Sequence, residues 1–171
     1  MTDPLIRPYG PRDADWLVPL HGTLYAREFG FDKTFALLVA EILERFAAKH
    51  DPAREAGWVA EVGGRPAGSI FCVTGPGPGI AKLRLFLLAP EARGHGLGAR
   101  LLATCMGFAR DRGYTAMTLW THAEHRAACA LYAKAGWRCD ESKPVTSFGQ
   151  RLTEQAWSVD LAGLAFAGDG R

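Results

Sequence analysis

The chain has 171 residues and a mass of 18.5 kDa, which suits one domain and leaves no room for a second catalytic one. Hydrophobic residues make up 48% and charged residues 22%, close to globular averages, so disordered, coiled-coil and collagen classes are excluded. Twenty Lys and Arg against 18 Asp and Glu leave a net charge of +2, too small a surplus to point to nucleic acid or an anionic membrane as partner.

The opening MTDPLIRPYG carries Asp3, Pro4 and Arg7 and lacks the apolar stretch of a secretory leader. No apolar run approaches the ~20 residues that a membrane span needs. The four cysteines, Cys72, Cys105, Cys129 and Cys139, form no CxxC pair and no tight framework. The expectation is a cytoplasmic protein with reduced, mostly buried thiols.

Leu5 to Tyr9 reads as the first strand. Asp13 is expected to cap a helix carrying Trp16, Leu17, Leu20 and Leu24, broken at Phe29-Gly30-Phe31. Asp32 caps a second helix, in which Phe35, Leu38, Val39, Ile42, Leu43 and Phe46 form one apolar stripe at helical period. Asp51-Pro52 lies just past its end. Trp58 to Val62 and Ala67 to Val73 read as strands joined by a Gly63-Gly64 hairpin. The stretch from Thr74 to Gly79, rich in Gly and Pro, is a loop, and Lys82 to Leu88 is the next strand, ended by Pro90. A helix follows with Leu97, Leu101, Leu102, Cys105, Phe108 and Ala109 on one face, closed by Gly113. Ala116 to Thr121 is a strand. Ala128, Leu131, Tyr132 and Ala135 mark another helix, with Gly136 just past its end. Trp137 to Asp140 and Gln155 to Leu161 are the last strands.

The order is β-α-α-β-β-β-α-β-α-β-β. Early hairpins give an antiparallel half, and the strand-helix-strand unit over 82–121 implies a parallel crossover. The fold class is mixed α/β, a twisted sheet with helices on both faces. One domain is expected over residues 1–161, with 162–171 as a flexible tail.

The chemistry concentrates in Leu87-Leu88-Ala89-Pro90-Glu91-Ala92-Arg93-Gly94-His95-Gly96-Leu97-Gly98. A strand runs into a Gly-rich turn that opens a helix. Bare backbone N–H groups then point into the space before the helix N-terminus, where the macrodipole adds positive potential. This is an anion site of pyrophosphate size, with Arg93 as a fixed cation at its rim. A Walker A loop fails, because Gly-Leu-Gly stands where Gly-Lys-Ser/Thr is needed. A Rossmann fingerprint fails, because Arg100 replaces its last glycine. The plain alternative is a tight turn whose glycines only permit close packing.

The segment resembles the Arg/Gln-x-x-Gly-x-Gly/Ala pyrophosphate loop of the GNAT superfamily of N-acetyltransferases, with Arg93, Gly96 and Gly98 in the signature places. Trp120-Thr121, Ala128, Leu131-Tyr132 and Gly136-Trp137 resemble that family's second signature. The likeness spans roughly residues 4–161. More narrowly, His21-Gly22, the run from Tyr25 to Asp32, Ser147-Phe148-Gly149 and Gln155-Ala156-Trp157 resemble the acetyltransferase half of MarR-type fusion proteins. The DNA-binding half is expected to be absent, since the first strand starts at Leu5.

The resemblance implies acetyl-CoA as donor and direct transfer to an amine, without a covalent enzyme intermediate. It implies cofactor binding by Arg93, Gly94, His95, Gly96, Leu97 and Gly98. A backbone N–H near Leu87 or Leu88 would meet the thioester oxygen. Tyr132 matches the family's general acid, although pattern alone makes it a core tyrosine. His125 stands where relatives carry an Asn that bonds the pantetheine arm. Lys82, Arg84 and Phe86 occupy alternating positions on the strand where relatives often keep a carboxylate base. Their plain reading is a solvated face; their functional reading is a cationic acceptor pocket, with Tyr25 as a further substrate contact. The base then comes from elsewhere, with Glu28 and Glu124 nearest by topology. His122, His125 and Cys129 lack a fourth ligand, so no metal is expected, and Cys129 reads as an inert thiol.

The reading is an N-acetyltransferase acting on a primary amine of a small molecule, an amino acid among the candidates. Its alternatives are a catalytically silent acetyl-CoA-binding regulatory module, or a protein lysine or N-terminal acetyltransferase. A homodimer is expected, because Trp157 to Leu161 reads as a strand at or near a sheet edge.

Overall fold

The computed structural model describes residues 3–164. Asp32 accepts a hydrogen bond from the Thr34 N–H at 3.0 Å, which caps the helix α2 over Lys33–Lys49. The preceding helix α1 spans Ala14–Phe29 and ends at Gly30, whose φ of 72° needs a residue without Cβ. Asp13 does not cap α1 as expected. It ends a 3-10 turn (Pro11–Asp13) in helical backbone, and its carboxylate accepts from the Gly10 N–H, the Trp16 Nε1–H and the Arg7 guanidinium. Arg7 holds that carboxyl down at about 2.

The remaining elements are β1 (Leu5–Pro8), β2 (Ala56–Val62), β3 (Arg65–Thr74), β4 (Ile80–Leu88), α3 (Leu97–Asp111), β5 (Ala116–His122), α4 (Arg126–Lys134), β6 (Arg138–Ser147) and β7 (Gln150–Asp160). Their order is the expected one. The strands form one seven-stranded sheet, ordered β1-β2-β3-β4-β5-β7-β6. Among the described residues only β4 and β5 are parallel neighbours. Gly63 and Gly64 both have positive φ, as the tight β2–β3 hairpin requires.

Helices cover both faces. Leu97, Leu101, Leu102, Cys105 and Met106 of α3 bury against Ile70, Cys72 and Leu83, together with Tyr132 and Trp137 from the α4 region. Each such leucine contributes roughly 1.5–3 kcal/mol by leaving water. On the opposite face Leu17, Leu24, Val39 and Leu43 of α1 and α2 pack on Phe71 and Leu87. Leu38, expected on the buried stripe of α2, is 40% exposed, and Leu37 is 68% exposed.

The C-terminal strands are longer than expected. β6 and β7 form one hairpin, because the polar, Pro144-containing run from Glu141 to Thr146 still pairs on one side. The hairpin makes β6 the sheet edge and places β7 between β5 and β6. Trp157 to Asp160, expected at or near an edge, thus lie one strand in from it, on β7. At the hairpin tip the Asp32 N–H donates to the Phe148 carbonyl and Gln150 Nε2 donates to the Gly30 carbonyl. This ties the tip to the α1–α2 junction.

Of the expected tail, Ala162 to Leu164 is described, and Leu164 packs against the core; residues 165–171 lie outside the described residues. All four cysteines are free thiols, with Cys72 and Cys105 buried and Cys139 exposed. Among the described residues no helix is long and apolar enough to cross a membrane.

Candidate functional site

The parallel pairing of β4 and β5 ends at Lys82 and Thr118, yet β4 runs on to Leu88 and β5 to His122. The two strands splay and leave a gap in the middle of the sheet. Gaps of this kind, at the carboxyl ends of parallel strands, are where α/β sheets place ligands.

A bulge shapes the β4 side of the gap. Two residues, Leu85 and Phe86, oppose the single Ile70 between the pairs Ser69–Leu87 and Phe71–Arg84. Leu85 takes a φ of 50°, and its carbonyl accepts from Ser69 Oγ at 2.7 Å. The extra residue corrects the expected face. Lys82 and Arg84 look toward α2, with Leu85 and Leu87 on the same side, while Phe86 turns to the α3–α4 side.

Beyond β4 the chain makes a 3-10 turn (Pro90–Ala92) and enters the glycine loop. Gly94 and Gly96 have φ of 83° and 76°, and Gly96 is the residue from which α3 starts. Side chains there would meet open space, so these glycines serve backbone conformation and leave the first N–H groups of α3 uncovered. Gly98 has a different reason: a Cβ would come within 3.0 Å of Leu131 Cδ1, so it permits α3 to approach α4. His95 is exposed, and the Leu97 side chain is buried in the core.

A cavity of about 630 Å³ opens at this loop. Gly94, Gly96 and Gly98 form one wall; Phe86, Leu88, Ala128 and Leu131 give it an apolar floor; α1 closes it with Leu24, Tyr25, Glu28 and Phe29. Arg93 lies at the rim. Its Nε donates to the Leu88 carbonyl at 3.0 Å, and its Nη1 stands 2.8 Å from Glu28 Oε1. Glu28 is thus on the cavity wall but engaged by Arg93. Glu124 is on the wall as well, with both oxygens accepting from the Thr153 N–H at 2.9 and 3.3 Å.

His125 borders the cavity, stacked on Phe29 at 4.1 Å and close to Tyr25 at 4.8 Å. Burial, then His122 and Arg93, push its imidazole down to about 4, and its Nε2 has no hydrogen-bond partner among the described residues. Burial also raises the Tyr25 hydroxyl far above its ordinary range, with Glu28 adding and Arg93 opposing. Tyr132 is buried beside Phe86, Trp137 and Trp157, and it is not on the cavity wall. Burial raises its hydroxyl strongly, with Tyr25, Cys129 and Cys105 adding to the effect.

Lys82 and Arg84 line a second cavity, of about 470 Å³, on the α2 side of the sheet. The structure therefore does not bring them to the glycine loop. Sequence reasoning missed the α2 cations Arg45 and Lys49 on that cavity, and the stacking of Phe29 on His125. The α2 pattern held the first signal, since Arg45 and Lys49 are spaced four apart on one helix. Nothing local in the chain held the second. Among the described residues no group of three or more His, Cys, Asp or Glu is placed to hold a metal; Cys129 Sγ instead donates to the His122 carbonyl.

The sequence profile of the Acetyltransferase (GNAT) family matches residues 23–137. N-acetyltransferase 8 of Rattus norvegicus is 36% identical over 113 residues, 64% of this chain and 48% of that protein. The chain spans about half the length of the curated relatives it matches first. A GNAT-family acetyltransferase from Staphylococcus aureus Mu50 superposes with a TM-score of 0.76 at 16% identity, covering 93% of this chain and 99% of its own. A Salmonella typhimurium structure described with its cofactor acetyl-CoA superposes with a TM-score of 0.74 at 18% identity, covering 99% of this chain and 100% of its own. The splayed strands, the glycine loop at the start of α3 and a profile match over most of the chain lead to one conclusion: the chain belongs to the acetyltransferase (GNAT) family.

Proposed function

We propose that this protein is an acetyl-CoA-dependent N-acetyltransferase that moves the acetyl group directly to a primary amine of a small molecule, with amino acids among the candidates. The observation that carries the reading is the cavity of about 630 Å³ where the Gly94–Gly98 turn meets the start of α3. Its parts suit the donor. Uncovered N–H groups and the helix dipole suit a pyrophosphate, and Arg93 adds a cation. The apolar floor of Phe86, Leu88, Ala128 and Leu131 suits a pantetheine arm. Bound there, acetyl-CoA supplies an activated acyl group as a thioester.

In this reading Gly94, His95, Gly96, Leu97 and Gly98 bind through their backbone, and His125 replaces the Asn contact to the arm. The Ala89 N–H donates to Ala67 of β3 at 2.7 Å, so strand alternation turns the N–H of Leu88, rather than Leu87, toward the gap. Leu88 is then the better candidate for meeting the carbonyl oxygen as it gains charge. Tyr132 would deliver a proton to the leaving thiolate, and Tyr25, on the cavity wall, would contact the substrate. Glu28 would take the amine proton once Arg93 turns to the pyrophosphate. Arg84 and Lys82 would face the acceptor from the α2 side of β4.

A second reading has its own observation. Tyr132 is off the cavity wall, and both Glu28 and Glu124 are already engaged. That arrangement suits a silent acetyl-CoA-binding regulatory module. The protein lysine or N-terminal alternative shares the amine chemistry and differs in acceptor size. The finer likeness to the acetyltransferase half of MarR fusions rests on the quoted residues alone. A single domain over 1–161, a cytoplasmic setting and a homodimer belong to the same proposal, with β6 rather than β7 as the edge open to pairing.

The test is a screen of amines and amino acids with acetyl-CoA, following thiol release. Turnover above the rate of hydrolysis supports the enzyme. Micromolar acetyl-CoA binding without turnover of any amine, peptides included, favours the module.

A further inference from the structure

Among the described residues, Leu85 and Phe148 are the two that hold left-handed backbone without being glycine. Leu85 is explained by the bulge that shapes β4. Phe148 sits elsewhere, at the tip of the β6–β7 hairpin. Ser147 and Gln150 pair across that tip, so Phe148 and Gly149 are its two turn residues, with φ of 53° and 76°. Positive φ at both is the geometry of a type I′ turn, for which Asn-Gly is the favoured sequence. A phenylalanine at the first position is strained, and such an outlier persists only where its surroundings hold it. The needs of the turn therefore do not account for a ring at residue 148.

The surroundings that hold it are aromatic. The Phe148 ring lies 4.9 Å from that of Phe31 and 5.1 Å from that of Phe35, centroid to centroid. Phe31 is buried, and neither it nor Phe148 belongs to the two cores under the helices. Hydrogen bonds set the tip against the α1–α2 junction: the Asp32 N–H donates to the Phe148 carbonyl at 2.9 Å, and Gln150 Nε2 donates to the Gly30 carbonyl at 3.0 Å. The fit is close, since a Cβ on Gly149 would come within 3.0 Å of Asp32 Oδ2. From Phe31 the rings continue to the glycine-loop cavity. Phe31 stands 5.6 Å from Tyr25 and 5.7 Å from Phe29, and Phe29 stacks on His125 at 4.1 Å. Tyr25, Phe29 and His125 are on the cavity wall and Phe148 is not, so one side chain, Phe31, lies between Phe148 and that wall. Past the buried Leu24, the last turn of α1 has a second tie in the Glu28–Arg93 pair, whose partners are partly exposed and which therefore holds weakly.

We propose that Phe148 is a positioning residue for the donor site: its ring, seated on Phe31 and Phe35, holds the last turn of α1, with Tyr25, Glu28 and Phe29, in place over the glycine-loop cavity. This rests on the reading of that cavity as the acetyl-CoA site. Phe148 touches neither the donor nor the reacting atoms. It biases the α1 wall toward the arrangement that binds, and the apparent affinity of a ligand falls with the fraction of molecules in that arrangement. An aromatic pair is worth a factor of roughly two to twelve in such an equilibrium. Loss of the ring therefore shows as weaker donor binding and as a looser α1 end in the donor-free protein, and bound donor restores the wall.

The experiment compares the wild type with Phe148→Asn, which removes the ring and supplies a residue the turn favours, and with Phe148→Tyr, which keeps the ring. Amide hydrogen exchange reads the wall through the Gly30 and Phe31 N–H groups, which close the end of α1 on the Ala26 and Tyr25 carbonyls. Calorimetry gives the acetyl-CoA Kd. Phe148→Asn is expected to speed exchange at Gly30 and Phe31 while leaving α3 as in the wild type, and to raise the Kd about three- to tenfold. Saturating acetyl-CoA should return exchange at Gly30 and Phe31 to the wild-type rate, and Phe148→Tyr should match the wild type throughout. Phe148→Leu carries the same comparison if the Asn variant does not fold. Faster exchange spread evenly over all elements, the mark of lost stability alone, overturns the proposal. The two levels are separable. If exchange quickens only at the end of α1 but the wild type binds no acetyl-CoA, Phe148 positions the wall and the donor reading falls. If Phe148→Asn binds acetyl-CoA as tightly as the wild type does, the donor reading stands and the positioning role falls.

Discussion

Replacing Glu28 by Gln should tighten the binding of CoA, and the size of the effect follows from where Glu28 stands. Its Oε1 lies 2.8 Å from Arg93 Nη1 at the rim of the glycine loop. If the same guanidinium meets a pyrophosphate at similar range, carboxylate and phosphate face each other across it at roughly 7 Å. A unit charge repels two charges at that distance by about 1 kcal/mol in water, and physiological salt reduces this to about 0.5 kcal/mol. The existing ion pair adds little on the other side, since both partners are partly exposed and such pairs contribute ~0–1 kcal/mol. Glu28→Gln should therefore lower the CoA Kd about two- to five-fold, with the larger gain at low ionic strength. Calorimetry at two salt concentrations measures both quantities. If Glu28 also takes the amine proton, kcat falls in the same variant, so affinity and turnover move in opposite directions. Unchanged or weaker CoA binding at low salt would refute the competition between Glu28 and the pyrophosphate for Arg93.

Three further outcomes are expected. Gly96→Glu should abolish measurable CoA binding by calorimetry, because it forces a side chain into a φ of 76° and sets a negative charge in the anion nest. Tyr132→Phe should lower kcat by ~10²-fold or more while leaving the CoA Kd close to wild type; equal kcat values would reduce Tyr132 to packing. His21 is fully buried, donates its Nδ1–H to the Leu17 carbonyl at 2.9 Å, and is pushed by burial to about 4 from 6.5. The unfolded chain takes up this proton first as pH falls, so the stability present above 6.5 is lost on the way down to about 4, by up to about 3 kcal/mol. Thermal melts over that range should fall more steeply for the wild type than for His21→Gln, and parallel slopes would count against the assignment.

The parts that were legible in the sequence are those whose cause is local. The Asp32 cap, the two-glycine hairpin and the apolar stripe of α3 each depend on residues within one or two turns of one another, and each appears where the pattern put it. The glycine loop was legible for the same reason: strand, turn and helix start are contiguous from Leu87 to Gly98. What stayed hidden depends on which partner a residue finds once the chain is folded, even where that partner is near in sequence. Asp13 reads as a cap because its type and place suit one, but Arg7 and Trp16 claim its carboxylate. The β6–β7 hairpin escaped because its outer strand is polar and carries Pro144, a composition tolerated only at an edge whose other side is already paired.

The bulge at Leu85 matters most for function, and period-two reading of β4 could not have found it. Alternation assigns Lys82, Arg84 and Phe86 to one face. The observed register gives Arg84 and Leu85 the same face and sends Phe86 to the other. One extra residue therefore separates two chemistries along a single strand: cations toward α2, and an apolar floor toward the glycine loop. The device is held by the Ser69 Oγ–H donated to the Leu85 carbonyl, from a residue sixteen positions earlier and itself fully buried. An unbulged β4 would put Phe86 on the face of Arg84 and take it out of the apolar floor of the loop cavity. If Lys82 and Arg84 face the acceptor, as proposed, the sheet keeps the acceptor and donor sides on opposite faces of β4, with the gap between β4 and β5 as their meeting place.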